Sequence, residues 1–146
     1  MLLGLQHCAL VVSDLERSRA FYGDVLGLEE ISRPPSFTFA GAWFRVGRDE
    51  LHLIAESDTT MRAGIADTGP GLRTGLVTHL AIEVDDLAAE LERLRGRDVG
   101  VAGGPMPRGD GVEQAFLLDP DGYVVELFER TGADQRDAPE RAAVRA

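Results

Sequence analysis

Several residue types are scarce in this sequence, and each scarcity excludes a class of chemistry or fold. All 15 basic residues are arginine, which excludes Schiff-base catalysis and lysine general bases. The single cysteine, Cys8, excludes a disulfide framework within the chain. It alternates onto the apolar side of its strand, so we interpret it as a small buried side chain. No apolar run is long enough to span a membrane, and the N-terminus has no basic region ahead of a long apolar stretch. The sequence therefore predicts a cytoplasmic protein without a membrane segment.

The charge balance is strongly acidic. There are 25 acidic and 15 basic residues, which gives a formal net charge of −10. Nucleic-acid binding requires a basic surface that replaces counterions, so this class of partner is excluded. An acidic protein favours small-molecule partners, including cationic ones. The length of 146 residues, with 44% hydrophobic and 27% charged residues, is typical of one soluble domain or of two small modules that share a core.

An internal repeat is the clearest positive feature, and it begins at two of the three histidines. The segment HCALVVSDL, residues 7–15, aligns with HLAIEVDDL, residues 79–87, with five identities in nine positions. Ser13 and Glu16 form a capping-box pattern before the first predicted helix, and Asp85 is the expected N-cap of the second. Three strand-like segments follow each helix, so the order strand, helix and three strands occurs twice.

The repeat also sets the expected boundaries. Module one spans residues 3–55 and module two spans residues 77–130, within a single domain at 1–130. The glycine-rich stretch at 56–76 is predicted to be a linker, and its 21 residues are long enough to cover a site. The tail, residues 131–146, has almost no bulky apolar residues and is predicted to be flexible.

All three histidines and one glutamate occupy repeat-related positions. His7 and His79 begin equivalent strands, on the face opposite the bulky side chains that we expect to pack against the helices. Aligning "LHLI" with "VELF" pairs His52 with Glu126. Any one of these residues would more often be an exposed strand residue, but the four together predict a shared site. Imidazoles and a carboxylate suit a divalent transition metal (Ni, Zn, Fe, Co or Mn), whereas calcium and magnesium prefer oxygen ligands.

These segments, together with "ELHLI" and "DPDGYVVELFE", resemble the vicinal oxygen chelate superfamily. That group includes glyoxalase I, methylmalonyl-CoA epimerase, extradiol dioxygenases and bleomycin-resistance proteins. The resemblance covers residues 3–130 and implies an α+β fold, in which two βαβββ modules form a cupped mixed β-sheet with helices on the outside. It also implies a homodimer, metal ligands at His7, His52, His79 and Glu126, and proton transfer by Glu126.

The sequence departs from the glyoxalase I pattern in two ways. The position of His52 is usually glutamate in bacterial glyoxalase I, so one possible base is absent here. The arginine and asparagine residues that clamp glutathione do not align, which argues against glutathione hemithioacetal as the substrate. Arg33 and Arg108, in comparable loops, are candidates for holding an anionic substrate group, and Trp43 and Arg45 share a strand face nearby.

Three functions remain open from the sequence. The first is a metal-dependent, glyoxalase-like lyase or isomerase that acts on a small α-hydroxy or α-keto compound through a metal-stabilised enolate. The second is an Fe(II) or Mn(II) extradiol-type dioxygenase, which needs two histidines and one carboxylate and requires His52 to stay unbound. The third is a non-catalytic drug-binding protein of the bleomycin-resistance kind, which the acidic charge suits.

Overall fold

The computed structural model describes residues 1–64, 71 and 74–132. The chain divides into two compact units, Met1–Asp67 with Asp119–Tyr123, and Thr68–Leu118 with Val124–Ala146. Part of the predicted linker and most of the predicted tail lie outside the described residues. Within the described part, no helix is long and apolar enough to cross a membrane.

The first unit contains a four-stranded mixed sheet and one helix. The elements are β1 (His7–Val12), α1 (Leu15–Arg19), a π-helical continuation of α1 (Ala20–Val25), β2 (Glu29–Ile31), β3 (Gly41–Val46), β4 (Asp49–Ala55) and a 3₁₀ turn (Glu56–Asp58). The strand order is β1-β4-β3-β2, with β1 parallel to β4 and the other pairs antiparallel.

The second unit repeats this arrangement. Its elements are β5 (His79–Glu83), α2 (Leu87–Arg95), β6 (Val101–Pro107), β7 (Val112–Leu118) and β8 (Val124–Arg130). The strand order is β5-β8-β7-β6, and β5 is parallel to β8. The predicted α+β fold with two βαβββ repeats is therefore confirmed, as two four-stranded mixed sheets.

Both helices begin one residue later than the sequence pattern indicates. Asp14 is the N-cap of α1 and accepts a hydrogen bond from the Arg17 backbone N–H at 3.0 Å. Asp86 caps α2 in the same way, accepting from the Ala89 N–H at 2.8 Å. The capping predictions for Ser13 and Asp85 were wrong, because the side chain of Ser13 donates to Asp121 instead.

The turn at residues 119–122 belongs to the first unit and is held there by hydrogen bonds. Asp119 accepts from the hydroxyl of Tyr22 at 2.9 Å, and Asp121 accepts from the Ser13 N–H at 3.1 Å. The hydroxyl of Tyr123 donates to the Val11 carbonyl at 2.9 Å. Burial raises the pKa of both Tyr22 and Asp119, which keeps the proton on the Tyr22 hydroxyl.

Candidate active site

The histidines and Glu126 occupy matching positions in the strand register of the two units. Ala9 of β1 pairs with His52 of β4, and Ala81 of β5 pairs with Glu126 of β8. The sequence repeat is therefore also a repeat of strand pairing. In each unit the polar side chain lies beside an alanine, and in the first unit Ala9 and His52 line a cavity.

Three rings are stacked across the sheet of the first unit. The imidazole of His52 lies 3.9 Å from the indole of Trp43, with an interplanar angle of 3°. On its other side His52 lies 4.3 Å from the ring of His7, at an angle of 12°. His52 is buried, whereas His7 is exposed. Packing on both faces therefore fixes the orientation of the His52 ring.

A carboxylate that we did not single out from the sequence joins this cluster. Glu50 Oε2 lies 2.7 Å from His52 Nε2, and His7 Nδ1 is hydrogen-bonded to the Gln6 side chain. Hydrogen bonds from His52 and then from Gln6 hold the pKa of Glu50 below its usual value. Glu50 precedes His52 by two residues, so strand alternation places both side chains on one face. That period-two spacing was the signal available in the sequence.

The second unit contains a close histidine–carboxylate pair. His79 Nε2 lies 2.9 Å from Glu126 Oε2, and His79 Nδ1 lies 2.7 Å from the Val77 carbonyl oxygen. A carbonyl oxygen only accepts, so Nδ1 carries a proton, and Nε2 is the ring nitrogen that faces Glu126. A distance of 2.9 Å between this nitrogen and a carboxylate oxygen requires either a proton on one of the two atoms or a cation bound by both. Glu126 is only 3% exposed, so its carboxylate is largely shielded from water on the side of the sheet.

Arg108 binds the other oxygen of Glu126. Its Nη1 donates to Glu126 Oε1 at 3.2 Å, and its Nη2 donates to Asp110 Oδ2 at 2.8 Å. The guanidinium also lies over the ring of Phe128, 5.3 Å from the centroid. The two Glu126 oxygens therefore have different partners, and Arg108 is engaged by protein carboxylates rather than held open for a substrate anion.

The other predicted substrate-binding residues divide into two groups. Trp43 lines a cavity in the first unit that also includes His7 and His52. Arg33 donates to the carbonyls of Phe39 and Gly41, and Arg45 donates to Glu29 Oε2 at 3.0 Å. Neither arginine is among the residues that line this cavity.

The predicted ligands are three imidazoles and one carboxylate, which are the ligand types that a divalent transition metal binds. His79 Nε2 and Glu126 Oε2, 2.9 Å apart, are a nitrogen and an oxygen of the types that such an ion would bind. The Nδ1–H bond of His79 to a carbonyl is the arrangement that orients metal-binding histidines. Within one unit, the described residues contain no cluster of three His, Cys, Asp or Glu side chains that could hold a metal.

A family profile and individual relatives both place this chain among glyoxalase-like proteins. The profile of the glyoxalase/bleomycin resistance protein/dioxygenase superfamily matches residues 4–127. Lactoylglutathione lyase of Salmonella typhimurium is 35% identical over 133 residues, 88% of this chain and 94% of that protein. Lactoylglutathione lyase of Haemophilus influenzae is 37% identical over 127 residues, covering 84% and 90%.

Solved structures of glyoxalase-family proteins have the same fold. A lactoylglutathione lyase from Agrobacterium tumefaciens superposes with a TM-score of 0.62 at 27% identity, covering 86% of this chain and 92% of the other. A glyoxalase/dioxygenase from Nostoc punctiforme gives a TM-score of 0.70 at 26% identity, covering 88% and 92%. With the duplicated βαβββ unit and the matched family profile, the chain belongs to the glyoxalase/bleomycin resistance protein/dioxygenase superfamily.

Proposed function

We propose that this protein is a metal-dependent lyase or isomerase of the glyoxalase type, acting on a small α-hydroxy or α-keto compound. The observation that carries the proposal is the contact between His79 Nε2 and Glu126 Oε2, a nitrogen and an oxygen of metal-binding type held 2.9 Å apart with Glu126 buried. The similarity to two lactoylglutathione lyases, at 35% and 37% identity, supports the same reaction class.

Four residues would hold the metal: His7, His52, His79 and Glu126. When bound, a divalent transition metal would supply Lewis acidity toward two neighbouring substrate oxygens. Nickel, zinc, iron, cobalt and manganese all accept nitrogen-rich sets of this kind.

Glu126 would act as the general base and acid. Arg108 holds its Oε1, so Oε2 is the oxygen available to take a proton from the carbon next to the substrate carbonyl and return it to the neighbouring carbon. The Val77 carbonyl holds Nδ1 of His79, so that Nε2 is the ring nitrogen turned toward that oxygen.

The test combines metal analysis with one conservative variant. We expect the purified protein to contain, or to take up, about one Ni(II) or Zn(II) per chain, and to convert a hemithioacetal of methylglyoxal. Glu126→Gln should lose at least about a hundredfold in kcat, because the general base is removed, while retaining metal. Absence of affinity for any of the five metals would refute the proposal, as would full activity of the variant.

A second candidate, an extradiol-type dioxygenase, is favoured by one observation. His52 Nε2 is engaged by Glu50, and both faces of its ring are covered, which suits a histidine that does not bind metal. His7, His79 and Glu126 would then be the two histidines and one carboxylate of a facial triad. Oxygen uptake with catechol and added Fe(II) would distinguish this reaction, since the lyase reaction consumes no oxygen.

A further inference from the structure

We infer that the cavity beside His7 and His52 holds a flat, uncharged apolar group of the substrate, such as an aromatic ring. This inference rests on the proposed function for the location of the reacting atoms, and it adds the chemical class of the group next to them. The cavity belongs entirely to the first unit.

The size and lining of the cavity suit a small ligand with one apolar end. Its volume is about 510 Å³, which is within the range of small-molecule sites. Phe37, Phe39, Trp43 and Ile54 provide its apolar wall, and His7 and His52 are among the polar residues that line it. A ligand with an oxygenated end and an apolar end therefore matches this lining.

The aromatic rings are arranged to favour another ring. Phe37 meets Trp43 edge-on, with centroids 5.2 Å apart and an interplanar angle of 65°. Phe37 also meets Phe39 edge-on, at 5.5 Å and 85°. Edge-to-face contacts of this kind are worth about 0.5–1.5 kcal/mol beyond area burial. An aromatic ligand can extend this cluster, whereas a methyl group would leave most of the cavity unfilled.

Hydrogen bonds hold the aromatic loop in place before a ligand arrives. Arg33 donates from Nη2 to the Phe39 carbonyl at 2.6 Å and from Nη1 to the Gly41 carbonyl at 3.0 Å. Asp58 accepts from the Ala40 N–H at 2.9 Å. The ends of the loop near Phe37 are therefore fixed, which reduces the entropy lost on binding. Arg33 is a positioning residue in this arrangement.

Charge argues for an uncharged group. Among the described residues that line the cavity there is no arginine, and Glu50 is its one ionised carboxylate. An anionic group at the apolar end of the cavity would meet repulsion from Glu50, and the described lining has no arginine to offset it. Glu50 is already hydrogen-bonded to His52 and Gln6, so it is not held in reserve for a cation.

The test measures equilibrium binding to the full chain as purified. Trp43 is the only tryptophan, so its fluorescence reports the cavity directly. We would titrate α-hydroxyacetophenone, which has a phenyl group, and hydroxyacetone, which has a methyl group in its place. Para-carboxylate and para-aminomethyl derivatives of the phenyl compound test the preference for an uncharged group. Apolar burial of the ring predicts binding about tenfold or more tighter for the phenyl compound.

Variants separate ring stacking from filled volume. Phe37 is 42% exposed, so Phe37→Ala should still fold, and it should weaken the phenyl compound about fivefold or more while leaving hydroxyacetone unchanged. Phe37→Leu should have an affinity for the phenyl compound between those of the parent protein and Phe37→Ala. The control is Met61→Ala, an exposed apolar truncation outside the cavity, which should leave the affinity unchanged.

Several outcomes would overturn the inference. They are equal affinity for the phenyl and methyl compounds, no binding of either, tighter binding of a charged derivative, or an unchanged affinity in Phe37→Ala. Binding requires no turnover, so the two proposals fail separately. A ring preference without any lyase activity would refute the proposed reaction alone, whereas lyase activity without a ring preference would refute the inference alone.

Discussion

At the scale of single residues, the two oxygens of Glu126 differ in what they contact. Oε2 faces His79, and Oε1 accepts from Arg108, a partner that the sequence did not indicate. Glu126 has 4% of its side chain exposed and Arg108 has 29%, so the carboxylate depends on this guanidinium far more than an exposed pair would.

Arg108→Met should therefore destabilise the fold by about 1–3 kcal/mol, because it leaves a buried carboxylate oxygen without its donor. The measurement is chemical denaturation at neutral pH. Arg130→Met is the matched control, since Arg130 pairs with Glu83 where both side chains are largely exposed, and it should cost no more than about 1 kcal/mol. Equal stability of the two variants would contradict this account of Glu126.

The sequence predicts which residues occupy matching strand positions better than it predicts the contacts that those residues make. His7, His52, His79 and Glu126 could be selected because a repeat in sequence becomes a repeat in strand register. Pairing of Arg33 with carbonyls in the loop before β3 depends on how that loop folds, which residue type alone does not indicate. The prediction that Arg33 and Arg108 hold a substrate anion therefore stays untested, and both are bound to protein groups.

At the scale of elements, distant contacts decide where strands and helices begin. Apolar and polar residues alternate from Phe37 onward, a pattern typical of a strand, yet β3 begins at Gly41. The Ala40 N–H donates to Asp58, and the Phe39 carbonyl accepts from Arg33, so neither group is left for a strand ladder. Alternation of apolar residues could be read from the sequence, but these two side-chain partners could not.

The turn at residues 119–122 gives a prediction at this scale, through the buried hydrogen bond from Tyr22 to Asp119. Tyr22→Phe should destabilise the protein by about 1–2 kcal/mol at neutral pH, because Asp119 loses its hydroxyl donor. The pKa of Tyr22 is raised in the folded state by burial and by the charge of Asp119. Above pH 10.0, the ordinary tyrosine value, the unfolded chain loses the proton that the folded chain keeps.

Stability of the parent protein should therefore fall as pH rises above about 10, and the Tyr22 contribution to this slope is at most about 1.4 kcal/mol per pH unit. Tyr22→Phe lacks this contribution. The difference in free energy of unfolding between the parent protein and Tyr22→Phe should therefore shrink between pH 9 and pH 11. Urea denaturation across that interval checks the prediction. A deficit that stays constant would show that Tyr22 ionises as readily in the folded chain as in the unfolded one.

At the scale of the whole molecule, a metal that binds only the folded chain must stabilise it. At a free concentration one hundred times the dissociation constant, the gain is about 2.7 kcal/mol. We expect Ni(II) or Zn(II) to raise the melting temperature by about 5–10 °C, and a chelator to reverse the change. His7→Ala and His79→Ala should each reduce the shift, because each removes one proposed ligand.

Magnesium is the control, since it prefers oxygen ligands and should produce little change. A shift of equal size with magnesium would indicate general binding to the acidic surface, which carries a net charge of −10. An unchanged shift in both histidine variants would show that the stabilising ion binds elsewhere.

The matched register of Ala9 with His52 and of Ala81 with Glu126 has a consequence for ancestry. Pairing that repeats this closely is what duplication of one βαβββ gene segment would leave behind. Such an ancestor would have carried the same side chain at both positions, and the two halves now differ there by histidine against glutamate. His52→Glu would give both halves the same pair of side chains again, so one codon separates the present protein from a symmetric ancestor that could be made and assayed.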